Sequence, residues 1–138
     1  HVNYAYSLSE NRTDPHAATY GRQLPYIPVN KWNFRYAVDG KLTGSFGNYL
    51  GIKRWNASYA VCFTDARYTS ADESYFTPAY SLYDLLLGVD WKLGVDKSPV
   101  ECKMQLKVNN IWNAYYESTQ YYPMPRRNFS IGLTFLYP

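Results

Sequence analysis

The sequence of 138 residues predicts an all-β protein, an antiparallel up-and-down sheet of six strands of the kind that walls a transmembrane β-barrel. Three observations predict it. Period-two alternation of apolar and polar residues recurs along the chain, whereas a sustained helical period does not. The apolar sets carry no charge, and each strand has roughly the 9–11 residues that a tilted strand needs to cross a bilayer. The connections alternate between long polar loops and short turns, the end-to-end asymmetry of outer-membrane barrels.

The first strand spans about residues 2–9, with Val2, Tyr4, Tyr6 and Leu8 on one face and Asn3, Ala5, Ser7 and Ser9 on the other. The second spans about 30–39, with Trp32, Phe34, Tyr36 and Val38 against Lys31, Asn33, Arg35 and Ala37. In the third, about 50–64, Trp55, Ala57, Tyr59, Val61 and Phe63 oppose Asn56, Ser58, Ala60, Cys62 and Thr64. In the fourth, about 80–93, Tyr83, Leu85, Leu87, Val89, Trp91 and Leu93 oppose Asp84, Gly88, Asp90 and Lys92. The fifth, 100–109, sets Val100, Cys102, Met104, Leu106 and Val108 against Glu101, Lys103, Gln105, Lys107 and Asn109. The sixth, about 128–137, sets Phe129, Ile131, Leu133, Phe135 and Tyr137 against Asn128, Ser130, Gly132 and Thr134. The first, third and fifth connections are long. "DGKLTGSFGN" and "GVDKSP", the second and fourth, are short turns. The apolar face is expected to meet lipid and the polar face a wet lumen; the competing expectation is a soluble sandwich whose apolar face packs on a second sheet.

Composition narrows the function classes. Charged residues make up 18% of the chain, below the usual quarter, while aromatics reach 19% with 16 Tyr and 4 Trp. Tyr and Trp pair an apolar body with a polar tip, which suits membrane belts and ligand platforms. A net charge of +3 without a Lys/Arg block argues against a nucleic-acid partner. No run of about 20 apolar residues suggests a membrane helix. No apolar leader follows His1, so the chain is expected to be a mature form or a piece of a longer protein.

Catalytic chemistry finds no foothold. G-x-S-x-G, H-E-x-x-H and a phosphate-cradling Gly loop are all missing from the sequence, and no catalytic residue, metal or cofactor is assigned. His1 and His16 are expected to be solvated. Asp65, Asp72 and Glu73 in the third connection lack the ligand spacing of a calcium loop and are expected to serve solubility. Arg126 and Arg127 suit either a surface anion or the polar headgroups beside a strand end. Sequons at Asn11, Asn56 and Asn128 are read as chance, since two fall within strands. Cys62 and Cys102 lie on opposite parities of non-adjacent strands and are expected to stay unpaired. In "WNAYYESTQYY", Trp112, Tyr115, Tyr116, Tyr121 and Tyr122 are candidate ligand contacts, their flat faces and hydroxyl tips suiting sugar rings or other amphipathic ligands; an interfacial girdle is the competing role.

Two segments resemble a known family. "GRQLPYIPVNKWNFRY" (21–36) resembles the stretch that leads into a late barrel strand of TonB-dependent outer-membrane receptors, where Leu-Pro-x-x-Pro precedes the strand. "LKVNNIWNAYYESTQYYPMPRRNFSIGLTFLYP" (106–138) resembles the end of that family: Asn110 to Asn113 match its Asn-x-x-Asn element, and Pro123, Met124, Pro125 and Arg126 match its Pro-Met-Pro loop. Ser130, Gly132, Phe135 and Tyr137 are similar to the C-terminal signal read by the barrel-assembly machinery. Pro138 departs from it, because the family commonly ends on an aromatic residue.

The resemblance implies that residues 1–138 are the C-terminal part of one β-barrel domain of about 22 strands, with the plug and signal segment absent. It implies a bacterial outer-membrane receptor and transporter for nutrient uptake, similar to importers of the Bacteroidetes. Its partners would be outer-membrane lipid, the remainder of the barrel and plug, the TonB energy-coupling complex through the missing N-terminal part, and a surface lipoprotein. The alternative function is a soluble all-β binding module with an aromatic carbohydrate-binding face. An outer-membrane enzyme barrel is disfavoured for want of a nucleophile constellation.

Overall fold

The computed structural model describes residues 1–42, 51–93 and 100–137. Among them there is no helix, and the architecture is all-β. Six long strands form one antiparallel sheet: β1 (Val2–Tyr6), β2 (Asn30–Lys41), β3 (Ile52–Thr64), β6 (Tyr80–Leu93), β7 (Val100–Asn109) and β10 (Asn128–Leu136). Two small hairpins stand in the long connections: β4 (Arg67–Tyr68) with β5 (Phe76–Thr77), and β8 (Glu117–Thr119) with β9 (Tyr122–Pro123). The order in the main sheet is β1-β2-β3-β6-β7-β10, an uninterrupted meander whose first and last strands lie at opposite edges.

Residues directly opposite each other in an antiparallel ladder share a face, so the register decides whether six separate alternations add up to one surface. They do. Tyr4 pairs with Trp32, Trp32 with Phe63, and Phe34 with Val61. Further along, Tyr59 pairs with Leu85, Leu87 with Leu106, and Val89 with Met104; Ile131 and Leu133 then face Leu106 and Met104. Every apolar set therefore falls on one side of the sheet. The other side carries Lys31, Arg35, Asn56, Asp90, Gln105, Lys103 and Ser130. Leu82 and Leu86 also lie on that polar side, half-buried, at positions the alternation of the fourth strand left unassigned.

One irregularity keeps the pattern intact. The β3–β6 register shifts between Ile52 and Arg54, so Ile52 sits opposite Trp91 while Arg54 sits opposite Asp90. The extra residue is a β-bulge, and it brings Ile52 onto the apolar side although its sequence parity is that of the polar one. Two glycines make room for large neighbours. A Cβ at Gly40 would lie 2.9 Å from the Trp55 indole nitrogen, and one at Gly88 would meet the Asn56 amide at 2.5 Å. Asn56 is thus packed across the strand at Gly88 rather than offered to solvent.

The sheet has almost no core. Among the described residues Val61 and Cys102 are the only buried apolar side chains, whereas Val2, Tyr36, Phe129 and Ile131 are 60–70% exposed. The accessible surface is 9786 Å². A compact globular protein of 16.1 kDa would show about 7,400 Å². The apolar face is a single uncovered layer. Both cysteines are free thiols, Cys62 in β3 and Cys102 in β7, with β6 between them.

Strand limits follow the alternation closely, with two differences at the ends. The first strand stops at Tyr6, because the chain turns into its loop there, although Ser7 still donates its N–H to the Val29 carbonyl at 2.9 Å. The last stops at Leu136, leaving Tyr137 outside the ladder and 77% exposed. Residues 43–50 and 94–99, where the sequence predicts short turns, and Pro138 lie outside the described residues.

Candidate functional site: the loop cap

A meander sends alternate connections to the same end, so the stretches 7–29, 65–79 and 110–127 all emerge together, opposite the β2–β3 and β6–β7 connections. They are bonded to one another. From the first loop, Tyr26 donates its N–H to the Tyr68 carbonyl at 2.7 Å, Gln23 donates its N–H to a Glu73 carboxylate oxygen at 2.8 Å, and the Arg22 guanidinium bonds the Asp72 carbonyl. From the second, Arg67 Nη2 donates to the carbonyls of Glu117 and Ser118 at 2.7 and 2.9 Å, and the Thr69 hydroxyl to Gln120 Oε1 at 2.7 Å. Arg67 also lies over the Tyr80 ring, 5.4 Å from its centroid. Three loops far apart in sequence form one cap.

All five non-glycine residues described with positive φ, namely Tyr26, Glu73, Asn110, Asn113 and Tyr121, lie in this cap. Asn110 shows why the Asn-x-x-Asn element works. Its φ of 52° is a conformation that Asn tolerates better than most residues, and it is 3% exposed. Its backbone N–H reaches Asp84 Oδ1 at 2.9 Å, its Nδ2 the Ala114 carbonyl at 2.8 Å, and its Oδ1 accepts from Ala114 N–H at 2.9 Å. Asn113 Oδ1 then accepts the Arg127 N–H at 3.1 Å, tying the start of the loop to its return. Asn110→Ala should cost about 2–3 kcal/mol, since it orphans the half-buried N–H and carbonyl of Ala114 and strains the left-handed position. Urea unfolding with limited proteolysis across 111–127 reads this; an unchanged cleavage rate would show that Asn110 does not hold the loop.

The candidate aromatic contacts divide. Trp112, Tyr115, Tyr121 and Tyr122 are 57–80% exposed. Trp112 meets Tyr83 edge-on at 6.5 Å, and Tyr83 meets Tyr59 at 6.3 Å, so this row belongs to the apolar side of the sheet. Tyr116 turns the other way and packs on Tyr80 at 4.7 Å, over the polar side. Burial raises the Tyr116 phenol above its ordinary range. The Tyr115 hydroxyl donates to Glu117 Oε1 at 2.5 Å, which raises its pKa, and Arg126 lies over its ring at 5.7 Å. Glu117 Oε2 accepts the Tyr121 N–H at 2.9 Å, fixing the β8–β9 turn. The loop therefore straddles the rim of the sheet, with Trp112 outside and Tyr116 inside.

The carboxylates of the third connection are each engaged by hydrogen-bond donors. Asp65 accepts from Asn30 Nδ2 and Ala66 N–H, and Glu73 from Gln23. Asp72 is held down to about 2 by hydrogen bonds from Ser70 and Ser74. Among the described residues no three His, Cys, Asp or Glu side chains converge as a metal site. His1 and His16 are exposed, the former donating its terminal amine to the Arg35 carbonyl at 2.8 Å. Of the residues similar to the assembly signal, Ser130, Gly132 and Phe135 lie on β10, and Tyr137 follows it at the end remote from the cap. Phe135 faces Cys102 on the apolar side, and Ser130 faces Lys107 on the polar side.

Two features of the cap had no signal in the sequence. The hairpins β4–β5 and β8–β9 are too short for any periodicity, and Arg67 is one arginine in a polar loop. Comparison with protein-family models and with curated proteins finds no match to this chain.

Proposed function

We propose that this chain is the C-terminal wall segment of a TonB-dependent receptor in the bacterial outer membrane, supplying the last strands of a barrel of about 22 and part of its outer loop cap. The observation that carries the reading is the banding of the apolar face. Towards the loop end it shows Tyr6, Tyr4, Trp32, Phe63, Tyr83 and Phe129, and towards the turn end Trp55 and Trp91. Between them lie Val38, Ala57, Leu85, Leu87, Val89, Leu106, Met104, Ile131 and Leu133, with Tyr36 and Tyr59 level with Leu85 on the loop side of the zone. Tyr83 and Trp91 are about 26 Å apart along their strand, or about 20 Å of depth at a tilt near 40°. A mainly aliphatic middle with aromatic side chains gathered towards both ends is the pattern that lipid and its two interfaces select.

In this reading the wall performs no chemistry. Strand pairing satisfies the backbone in lipid, the polar side lines a wet lumen, and the cap meets the incoming nutrient. The remainder of the barrel and plug, the inner-membrane energy-coupling complex and a surface lipoprotein are the proposed partners. The full-length protein should partition with the outer membrane and need detergent to stay monodisperse. Recovery of a monodisperse protein from the aqueous fraction without detergent would favour a soluble module using its exposed Tyr and Trp instead.

A further inference from the structure

Arg35, Ala60 and Asp84 form one row across the polar side of the sheet. Arg35 pairs with Ala60 in the β2–β3 ladder and Ala60 with Asp84 in the β3–β6 ladder, so the three side chains leave the same face. The outer two Cα atoms are two strand spacings apart, or about 10 Å. The residue between them ends at a methyl group. Arg35 is exposed and Asp84 half-buried, and neither forms an ion pair among the described residues. Asp84 Oδ1 accepts the Asn110 N–H at 2.9 Å. A carboxylate has room for further donors on its second oxygen.

Both charges line one hollow of about 300 Å³, with Asn33, Cys62 and His1 among its other walls. Asn33 and Cys62 face each other one row nearer the cap, on the same side of the sheet. A guanidinium and a carboxylate that share a hollow without meeting each other suit a ligand that carries both opposite charges. Side chains stand roughly perpendicular to a sheet, so the two heads keep about the spacing of their Cα atoms. Charge-assisted hydrogen bonds of about 2.8 Å, one from each head, then leave about 4 Å between the charges of the ligand. That is the reach of an α-amino acid. We infer that this hollow binds an α-amino acid as its zwitterion, with the carboxylate on Arg35, the ammonium on Asp84 and the Ala60 methyl beneath. The site goes beyond the receptor reading and does not depend on it, because the ladder register alone sets the row.

The probe is L-alanine, with two controls: N-acetyl-L-alanine, which lacks the ammonium, and L-alaninamide, which lacks the carboxylate. Calorimetry and saturation-transfer NMR are run on the full-length protein, in the buffer or detergent that keeps it monodisperse. Alanine should bind about tenfold more tightly than either control. Arg35→Gln should remove the preference over alaninamide and keep the preference over N-acetylalanine. Asp84→Asn should do the reverse. Asp84→Asn keeps an amide oxygen for the Asn110 N–H, and unchanged proteolysis across 111–127 checks that the loop stays tied. If that cleavage speeds up, Arg35→Gln and Ala60→Met decide the matter. Ala60→Met fills the gap between the two charges without removing either, and should cost about tenfold in alanine affinity. No binding of alanine, equal binding of all three compounds, or full affinity in Ala60→Met would each overturn the site.

Discussion

Leu87→Arg is expected to destabilise the membrane-inserted protein by about 2–4 kcal/mol, whereas Gln105→Arg should change it by less than about 1 kcal/mol. Leu87 lies midway between the Tyr83 and Trp91 girdles, opposite Ala57 and Leu106, and 42% of it is uncovered by protein. If the apolar side meets lipid as proposed, an arginine there stands at the depth where the bilayer tolerates charge least. Gln105 is one position along in the ladder, opposite Gly88, and exposed on the polar side beside Lys103 and Lys107. The pair isolates sidedness from strand propensity. Asp84 is a poorer control than its polar parity suggests, because its Oδ1 holds the Asn110 N–H at 2.9 Å and Asp84→Arg would loosen the loop cap as well. Reversible urea titration in phospholipid vesicles measures all three. Equal losses for Leu87→Arg and Gln105→Arg would show that the apolar side does not meet lipid.

How far the fold could be read in advance follows from what alternation can encode. A strand with one apolar side writes itself at period two, so the six long strands and their faces were legible to within a few residues. Alternation has no means of marking a two-residue pairing, which is why Arg67–Tyr68 with Phe76–Thr77 went unread. Nor can it mark a bulge: Ile52 has the parity of Arg54 and the side of Trp55, and only the register settles the conflict. Asn110 and Asn113 stood out by resemblance, but their work depends on left-handed backbone and partners on other strands. The aromatic loop was legible as a group and not as individuals, since the opposite directions of Trp112 and Tyr116 depend on Tyr83 and Tyr80 lying on opposite sides of β6. Arg67 carries meaning only through the carbonyls of Glu117 and Ser118, 50 and 51 positions away.

Residues 1–138 in isolation are expected to form no monomeric pore. β1 and β10 lie at opposite edges of the sheet and do not pair with each other. Each keeps a row of N–H and C=O groups on its outer side without a ladder partner, and all nine residues of β10 are exposed. In hydrocarbon every such group costs several kcal/mol, so a sheet with two open edges cannot rest in a bilayer as a single chain. Closing the sheet on itself is no remedy, because about eight strands are needed before a barrel interior can hold side chains. The polar side already carries Lys31, Arg35, Lys103 and Lys107, which six strands could not enclose with water. In water the difficulty moves to the other face, where the uncovered apolar layer favours association. Either way the remedy is another strand: a second copy at the β1 or β10 edge, or the rest of the proposed parent barrel. Native mass spectrometry from detergent should therefore show dimers and higher species, and planar-bilayer recordings should show no single-channel steps from monomer. A monodisperse monomer with stable open-channel current would mean that these six strands close by a geometry the meander does not predict, and the parent-barrel reading would fall with it.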